Sequence, residues 1–170
     1  LTGAGNRLAF DKAMERVGRE EQYPVCLIVM DVDGLKMIND SLVHRVGDSL
    51  LRRVMVLLRQ ALRENDAVYR IGGDELAVLL PGAGFTVAQP LTERIAVQGA
   101  ILRENNDRPP LHVSYGLAEA WDSASFATLF MRADEAMYAH KNARREGTRA
   151  LLTEWITTHA EWRDRRNHGE

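Results

Sequence analysis

Six consecutive apolar residues, Val25-Cys26-Leu27-Ile28-Val29-Met30, run directly into Asp31-Val32-Asp33. An uninterrupted run of this kind, partly β-branched, fits a strand buried on both faces, because a strand with one wet face alternates polar and apolar residues. The strand therefore belongs inside a sheet that helices cover on either side, and it delivers carboxylates at its end. Cys26, the only cysteine, lies within the run. A disulfide framework is excluded and a cysteine-built zinc site lacks its ligands, so Cys26 reads as core packing that suits a reducing compartment.

The rest of the chain alternates periods around this strand. Asn6 is placed to cap a first helix whose stripe is Phe10, Ala13, Met14 and Val17, closed by Gly18 and Pro24. After a loop through Asn39 and Asp40, Val43, Val46, Leu50, Val54, Leu57, Leu58 and Leu62 mark one side of a long amphipathic helix. Val68–Ile71 and Leu76–Leu80 read as two strands joined by Gly72-Gly73-Asp74-Glu75, a hairpin with a tight glycine turn. A helix is expected from about Pro90 to Arg103, with Pro at its first position and Leu91, Ile95 and Leu102 inward. Asn105 to Pro110 then forms a polar loop. Leu111, Val113, Tyr115 and Leu117 alternate with His112, Ser114 and Gly116 as a further strand, and Ser125 is placed to cap a helix carrying Phe126, Leu129, Phe130, Ala133 and Met137.

The order αβαββαβα implies an α+β sandwich, a mostly antiparallel sheet flanked by helices, over residues 1–150. Residues 151–170, with Trp155, His159 and Trp162 on an amphipathic helix, are expected as an appended helical tail outside the main fold and free to fray. The 170 residues suffice for one sizeable core and are cramped for two. Lys and Arg total 22 against 24 Asp and Glu, so no basic excess is offered to a nucleic-acid polymer. No stretch reaches the roughly 18 apolar residues of a membrane span. The opening Leu1-Thr2-Gly3, without an initiator methionine, suggests a fragment of a longer cytoplasmic chain in which an upstream sensory region supplies any membrane tether.

Chemistry is concentrated in the carboxylates. Asp31 and Asp33, two positions apart, share a face if the strand continues that far. Asp74 and Glu75 follow the glycine pair, and as neighbours in a strand only one of them would join a given cluster. A hairpin paired beside the first strand brings three or four carboxylates to one sheet edge. Buried without compensation they would repel and protonate, so a hard divalent cation, Mg²⁺ or Mn²⁺, suits them, and Mg²⁺ commonly arrives with nucleotide phosphates. The bland alternative is that Asp-x-Asp supplies turn and helix-cap chemistry and that the glycines merely turn a hairpin.

The segments Asp31-Val32-Asp33-Gly34-Leu35-Lys36-Met37-Ile38-Asn39-Asp40, His44, Gly47-Asp48 and Gly72-Gly73-Asp74-Glu75-Leu76, in that order, resemble the GGDEF domain of bacterial diguanylate cyclases. Leu1-Thr2-Gly3-Ala4-Gly5-Asn6-Arg7 resembles the family's opening motif, and Ala133 to Lys141 a motif near its end, so the likeness covers about residues 1–150. It implies a palm-like nucleotide cyclase fold and a dimeric transferase that condenses two GTP into cyclic di-GMP and two pyrophosphates. By resemblance, Asp31, Asp74 and Glu75 are the catalytic and metal-binding side chains, with the Val32 carbonyl assisting. Asn39 and Asp48 match guanine-reading positions, Lys36 and Lys141 phosphate-contacting lysines, and Arg145 their companion. Arg63 and Asp66 match an inhibitory site for the product cyclic di-GMP.

This sequence departs from the family pattern in places. Leu76, Leu35 and Ala4 are apolar replacements, and Ala96 stands where a second product-site arginine is common. Val43 precedes His44 where glycine is usual, and Arg144 and Glu146 break a Gly-Arg-Asn ending. No metal ligand is lost, so a cyclase is the leading expectation. The alternatives are a non-catalytic sensor of GTP or cyclic di-GMP and a dimerisation module.

Overall fold

The structure is a computed structural model and describes residues 3–42, 44–101 and 108–159, the side chains of 98–101 excepted. Leu1, Thr2, Val43, Leu102, Arg103, Asn105, Trp162 and the polar end 163–170, all singled out above, lie outside the described residues. The elements are α1 (Arg7–Arg19), β1 (Val25–Val32), α2 (Leu35–Ser41), α3 (His44–Ala61), β2 (Ala67–Arg70), β3 (Glu75–Pro81), α4 (Phe85–Ile101), β4 (Val113–Ala120), α5 (Ser123–Phe126) and α6 (Leu129–Thr158). The strands form one antiparallel sheet in the order β2-β3-β1-β4.

The continuous apolar run is the sheet's centre. Cys26, Ile28, Met30 and Val32 face a layer built from α2, α3, α4 and the end of α6, whereas Val25, Leu27 and Val29 face α1 and the start of α6. Every residue of β1 is buried, which is why its sequence shows no alternation. Asn6 caps α1 by accepting the Ala9 N–H at 2.9 Å, and Phe10, Ala13 and Val17 form the buried stripe.

Three local expectations differ. Asn39 and Asp40 lie in a helix, α2, whose Leu35 and Ile38 are buried one turn apart. Helix α4 begins at Phe85, five residues before Pro90, because Gly84 supplies the first acceptor carbonyl and the Glu119 carboxylate accepts the Phe85 N–H at 2.8 Å; Pro90 in the second turn forgoes a hydrogen bond. Asp122, not Ser125, caps α5, with Ser125 completing a capping box. In β4 the better-buried face is the small-residue one, Ser114, Gly116, Ala118 and Ala120. A Cβ at Gly116 would run into the Ala133 carbonyl and the Met137 nitrogen, so α6 lies directly on the strand there.

The largest difference is at the C-terminus. Residues 151–158 continue α6, and Leu152, Trp155 and Ile156 are buried in the same apolar cluster as α2 and α3. This part of the tail is core rather than an appendage, because its apolar positions extend the inward stripe of the helix before it.

Candidate functional site

The C-terminal end of β1 meets the β2–β3 turn. Asp31 pairs opposite Glu75, and the Val32 N–H donates to the Asp74 carbonyl at 2.9 Å. Asp31 and the glycine turn are thus adjacent, as the carboxylate reading requires. The turn is tied back by Arg70, whose guanidinium donates to the carbonyls of Gly72 and Gly73. A Cβ at Gly72 would stand 2.5 Å from the Glu75 carboxylate, so the first glycine gives Glu75 its room. Gly73 has open space around it.

Asp74 lies in the turn, outside the side-to-side alternation of the strand. Both Asp74 and Glu75 therefore stand within electrostatic reach of Asp31, where strand geometry alone leads one to expect only one. Asp31 is 3% exposed; its Oδ2 accepts from Lys141 Nζ at 2.7 Å, and its Oδ1 is buried with no hydrogen-bond partner among the described residues. Burial pushes its carboxyl above the usual range, with Asp74 and Asp33 adding to the rise against the pull of Lys141. Burial likewise raises Glu75, reinforced by Asp74, Asp31 and Asp134. For Lys141, burial works against the charge, but the bond to Asp31 and the surrounding carboxylates win and its ammonium is held above its ordinary range.

Strand β1 ends at Val32, so Asp33 sits in the turn that follows. It is 5% exposed, and the Ser114 hydroxyl lies 2.8 and 2.9 Å from its two oxygens. Its backbone N–H donates to the His112 carbonyl at 3.0 Å. Burial again raises the carboxyl, opposed by Ser114, Lys141 and Arg144.

Asn39 on α2 packs against Gly47 on α3; a side chain at 47 would collide with its Oδ1. That oxygen is buried and has no hydrogen-bond partner among the described residues, and the half-buried Asp48 follows Gly47 directly. An unmatched buried acceptor costs about 1–3 kcal/mol, so a donor arriving between α2 and α3 would be well received. Lys36 is exposed in the first turn of α2. On α6, Arg144 is half-buried and acts on Asp33, whereas Arg145 is exposed. Arg63 and Asp66 close on each other between α3 and β2: the guanidinium reaches both carboxylate oxygens, at 3.1 and 2.8 Å, and the Arg63 N–H donates to Asp66 at 2.9 Å.

Sequence reasoning missed Ser114, Asp134, Arg144 and Arg70 as partners of this site. Ser114 lies opposite Asp31 in the β1–β4 register, and that register is visible only once the strands are paired.

The donor set suits a hard divalent cation. The orphaned Oδ1 of Asp31 is an oxygen in need of a cation or a donor, and the raised carboxyls beside it would be relieved by positive charge. Among the described residues no three His, Cys, Asp or Glu side chains are gathered closely enough to hold an ion alone. The protein ligands would accordingly need oxygens from a phosphate or from water, the usual arrangement for Mg²⁺.

Residues 1–147 match the family model described as "Diguanylate cyclase, GGDEF domain". The chain is 34% identical over 151 residues to the diguanylate cyclase DgcP of Pseudomonas aeruginosa, covering 86% of this chain and 22% of that protein. It is 32% identical over 148 residues to the diguanylate cyclase DgcS of Shewanella oneidensis, covering 85% and 49%. The chain thus spans about a fifth of one of these relatives and about half of the other. Among solved structures, the GGDEF domain of DgcB from Caulobacter crescentus in complex with c-di-GMP superposes with a TM-score of 0.73 at 30% identity, over 82% of this chain and 86% of that one. The diguanylate cyclase SiaD of Pseudomonas aeruginosa, in complex with its activator SiaC, gives a TM-score of 0.73 at 27% identity, over 84% and 56%.

Proposed function

The chain belongs to the GGDEF family of diguanylate cyclases, and on that premise we propose that it condenses two GTP into cyclic di-GMP with release of two pyrophosphates. The observation that carries the reading is the buried, half-unpartnered Asp31 in register with Glu75 beside the Gly72-Gly73 turn. A carboxylate kept dry and short of partners is poorly explained as a turn or cap residue.

In this reading Asp31, Asp74, Glu75 and the Val32 carbonyl hold Mg²⁺ or Mn²⁺. When bound, the cation supplies charge to the phosphates and acidifies the attacking 3′-hydroxyl. Lys141, already on Asp31, and Lys36 offset the triphosphate, with Arg144 and Arg145 adding positive charge on α6. Asn39 and Asp48 read guanine: a carboxylate accepts from the N–H groups of its Watson–Crick edge, which adenine does not offer in that arrangement, and Asn39 Oδ1 has capacity to spare. Ring closure needs a second GTP facing the first, so the working unit is a face-to-face homodimer, with dimerisation set by a sensory region elsewhere in a longer chain.

Product feedback would act at Arg63 and Asp66. Because the two close on each other, cyclic di-GMP has to break their pairing to bind, and Ala96 contributes no second arginine.

The test is incubation of purified protein with GTP and Mg²⁺ over a range of protein concentrations, with chromatographic detection of cyclic di-GMP. Product should form at a rate rising faster than linearly with protein, and Asp74→Ala and Glu75→Ala should abolish it without unfolding the chain. No product at any concentration from folded protein that still binds GTP would leave the non-catalytic sensor in its place.

A further inference from the structure

Helix α6 does more than cover the sheet. At 1.5 Å per residue its 30 residues extend about 45 Å. Leu129, Ala133 and Met137 pack on the sheet face that also holds α1. Lys141 and Arg144 then pass the end of β1, beside Asp31 and Asp33. Thr148, Leu152, Trp155 and Ile156 are buried on the far side, the last three in the apolar cluster of α2 and α3. The family match ends at residue 147, so this last part of the helix lies beyond it.

Its point of contact is specific. Leu152 fills the space where a Cβ of Gly34 would be, and Gly34 is the left-handed residue, φ +74°, at which the chain turns from β1 into α2. The preceding residue, Asp33, is tied to Ser114 of β4. Two successive residues of this turn are therefore fixed by two different elements. Helix α2 needs such support: seven residues are too few to hold a helix in water, and no side chain among the described residues caps its start. It nonetheless carries Lys36 and Asn39.

We propose that the C-terminal third of α6 is a positioning element for the nucleotide site, with Leu152 as its principal positioning residue. By seating the Asp33-Gly34 turn it sets where α2 starts, and so holds Asn39 against Gly47 with its buried Oδ1 presented to the base. Leu152 touches no substrate and acts through α2. The identity of the ligand rests on the function proposed above; the mechanical role does not.

The experiment compares Leu152→Ala with Leu129→Ala, a buried leucine at the opposite end of the same helix and on the opposite face of the sheet. Binding is read by calorimetry with Mg²⁺ and α,β-methylene-GTP, which cannot react at its α-phosphate, and α2 by amide hydrogen exchange. Leu152→Ala should weaken the analogue's binding by about tenfold, a typical coupling between sites, and speed exchange across residues 35–41. Leu129→Ala, at a comparable loss of thermal midpoint, should do neither. Leu152→Val replaces Leu152→Ala if the latter does not fold, with a smaller effect of the same kind. Equal losses of affinity in the two variants, or unchanged exchange in α2, overturn the proposal. Wild-type protein that binds no guanine analogue defeats the cyclase reading instead, while the exchange measurement still decides whether α6 seats α2.

Discussion

The contact between Gly34 and Leu152 can be weighed by a double-mutant cycle on stability. Gly34 has φ +74°, where an L-residue with a Cβ is strained by about 1–2 kcal/mol. An alanine methyl there would also collide with Leu152 Cδ1, an overpacking cost of about 1–3 kcal/mol. Gly34→Ala should therefore destabilise by about 2–5 kcal/mol. Leu152 is fully buried, so Leu152→Ala should cost about 2–5 kcal/mol through lost burial and the cavity left behind. In the double variant the new methyl enters the vacated space, so of the Gly34→Ala cost only the backbone strain is added to the loss of the Leu152 side chain. The two changes should then fall short of additivity by about 1–3 kcal/mol, the range seen for residues in direct contact. Urea denaturation followed by circular dichroism gives each free energy, with an unchanged slope confirming that the same surface unfolds. Additivity within about 0.5 kcal/mol would mean that the side chain of Leu152 does not occupy the space over Gly34, and the case for α6 seating α2 would lose its footing.

Gly147 lies inside α6 with open space where a Cβ would go, so Gly147→Ala should stabilise by about 0.5–1 kcal/mol in the same denaturation assay. Burial, and Arg144 nearby, hold His140 below its ordinary 6.5, and its Nδ1 accepts the Tyr115 N–H at 3.0 Å, which requires the neutral ring. Its contribution is therefore present above pH 6.5 and is lost as pH falls through the depressed folded-state value. The wild type should lose stability on acidification in that window relative to His140→Asn, which keeps an acceptor but cannot protonate; parallel curves would refute this. Burial holds Asp33 above its ordinary 3.8 in spite of Ser114, so its contribution is present below that value and lost as pH rises through the raised one. Asp33→Asn should then raise the thermal midpoint of the ligand-free protein at pH 7, and a lower midpoint would show that the ionised form is the better accommodated.

The fold was legible where one physical signal dominated. The unbroken apolar run, short and partly β-branched, reads as a strand buried on both faces, and the glycine pair between two apolar runs reads as a hairpin. Reading failed where a local signal was outvoted. Pro90 looked like a helix start because proline is common there, but the distant Glu119 carboxylate supplies a better one at Phe85. In β4 the alternation marked a strand without showing which face is the better buried: α6 presses closest on Gly116, where only the absence of a side chain lets the backbones meet. Asp31 could be found from sequence because it continues the apolar run as the strand's next-to-last residue, whereas Asp33, expected on the same strand face, lies in the turn beyond it. Ser114 and Arg144 could not, since their relation to Asp33 exists only through strand pairing and helix packing.

The same logic explains why the end of α6 was misread as a separate tail. Its inward stripe runs Leu129, Ala133, Met137, Lys141, Arg144, Thr148, Leu152 and Ile156, at helical spacing throughout. The three middle members are polar, and a periodicity argument sees the apolar stripe stop and restart. The interruption falls where the helix passes the carboxylates: Lys141 and Arg144 meet charge instead of core, and Thr148 beyond them is buried. Continuity beyond the break has a consequence for the site. Were the helix to end near residue 147, Lys141 would lie within its last two turns, the part of a helix most prone to fray. With Leu152, Trp155 and Ile156 anchored in the opposite layer, Lys141 stands in mid-helix, held from both ends, and its ammonium is kept on Asp31.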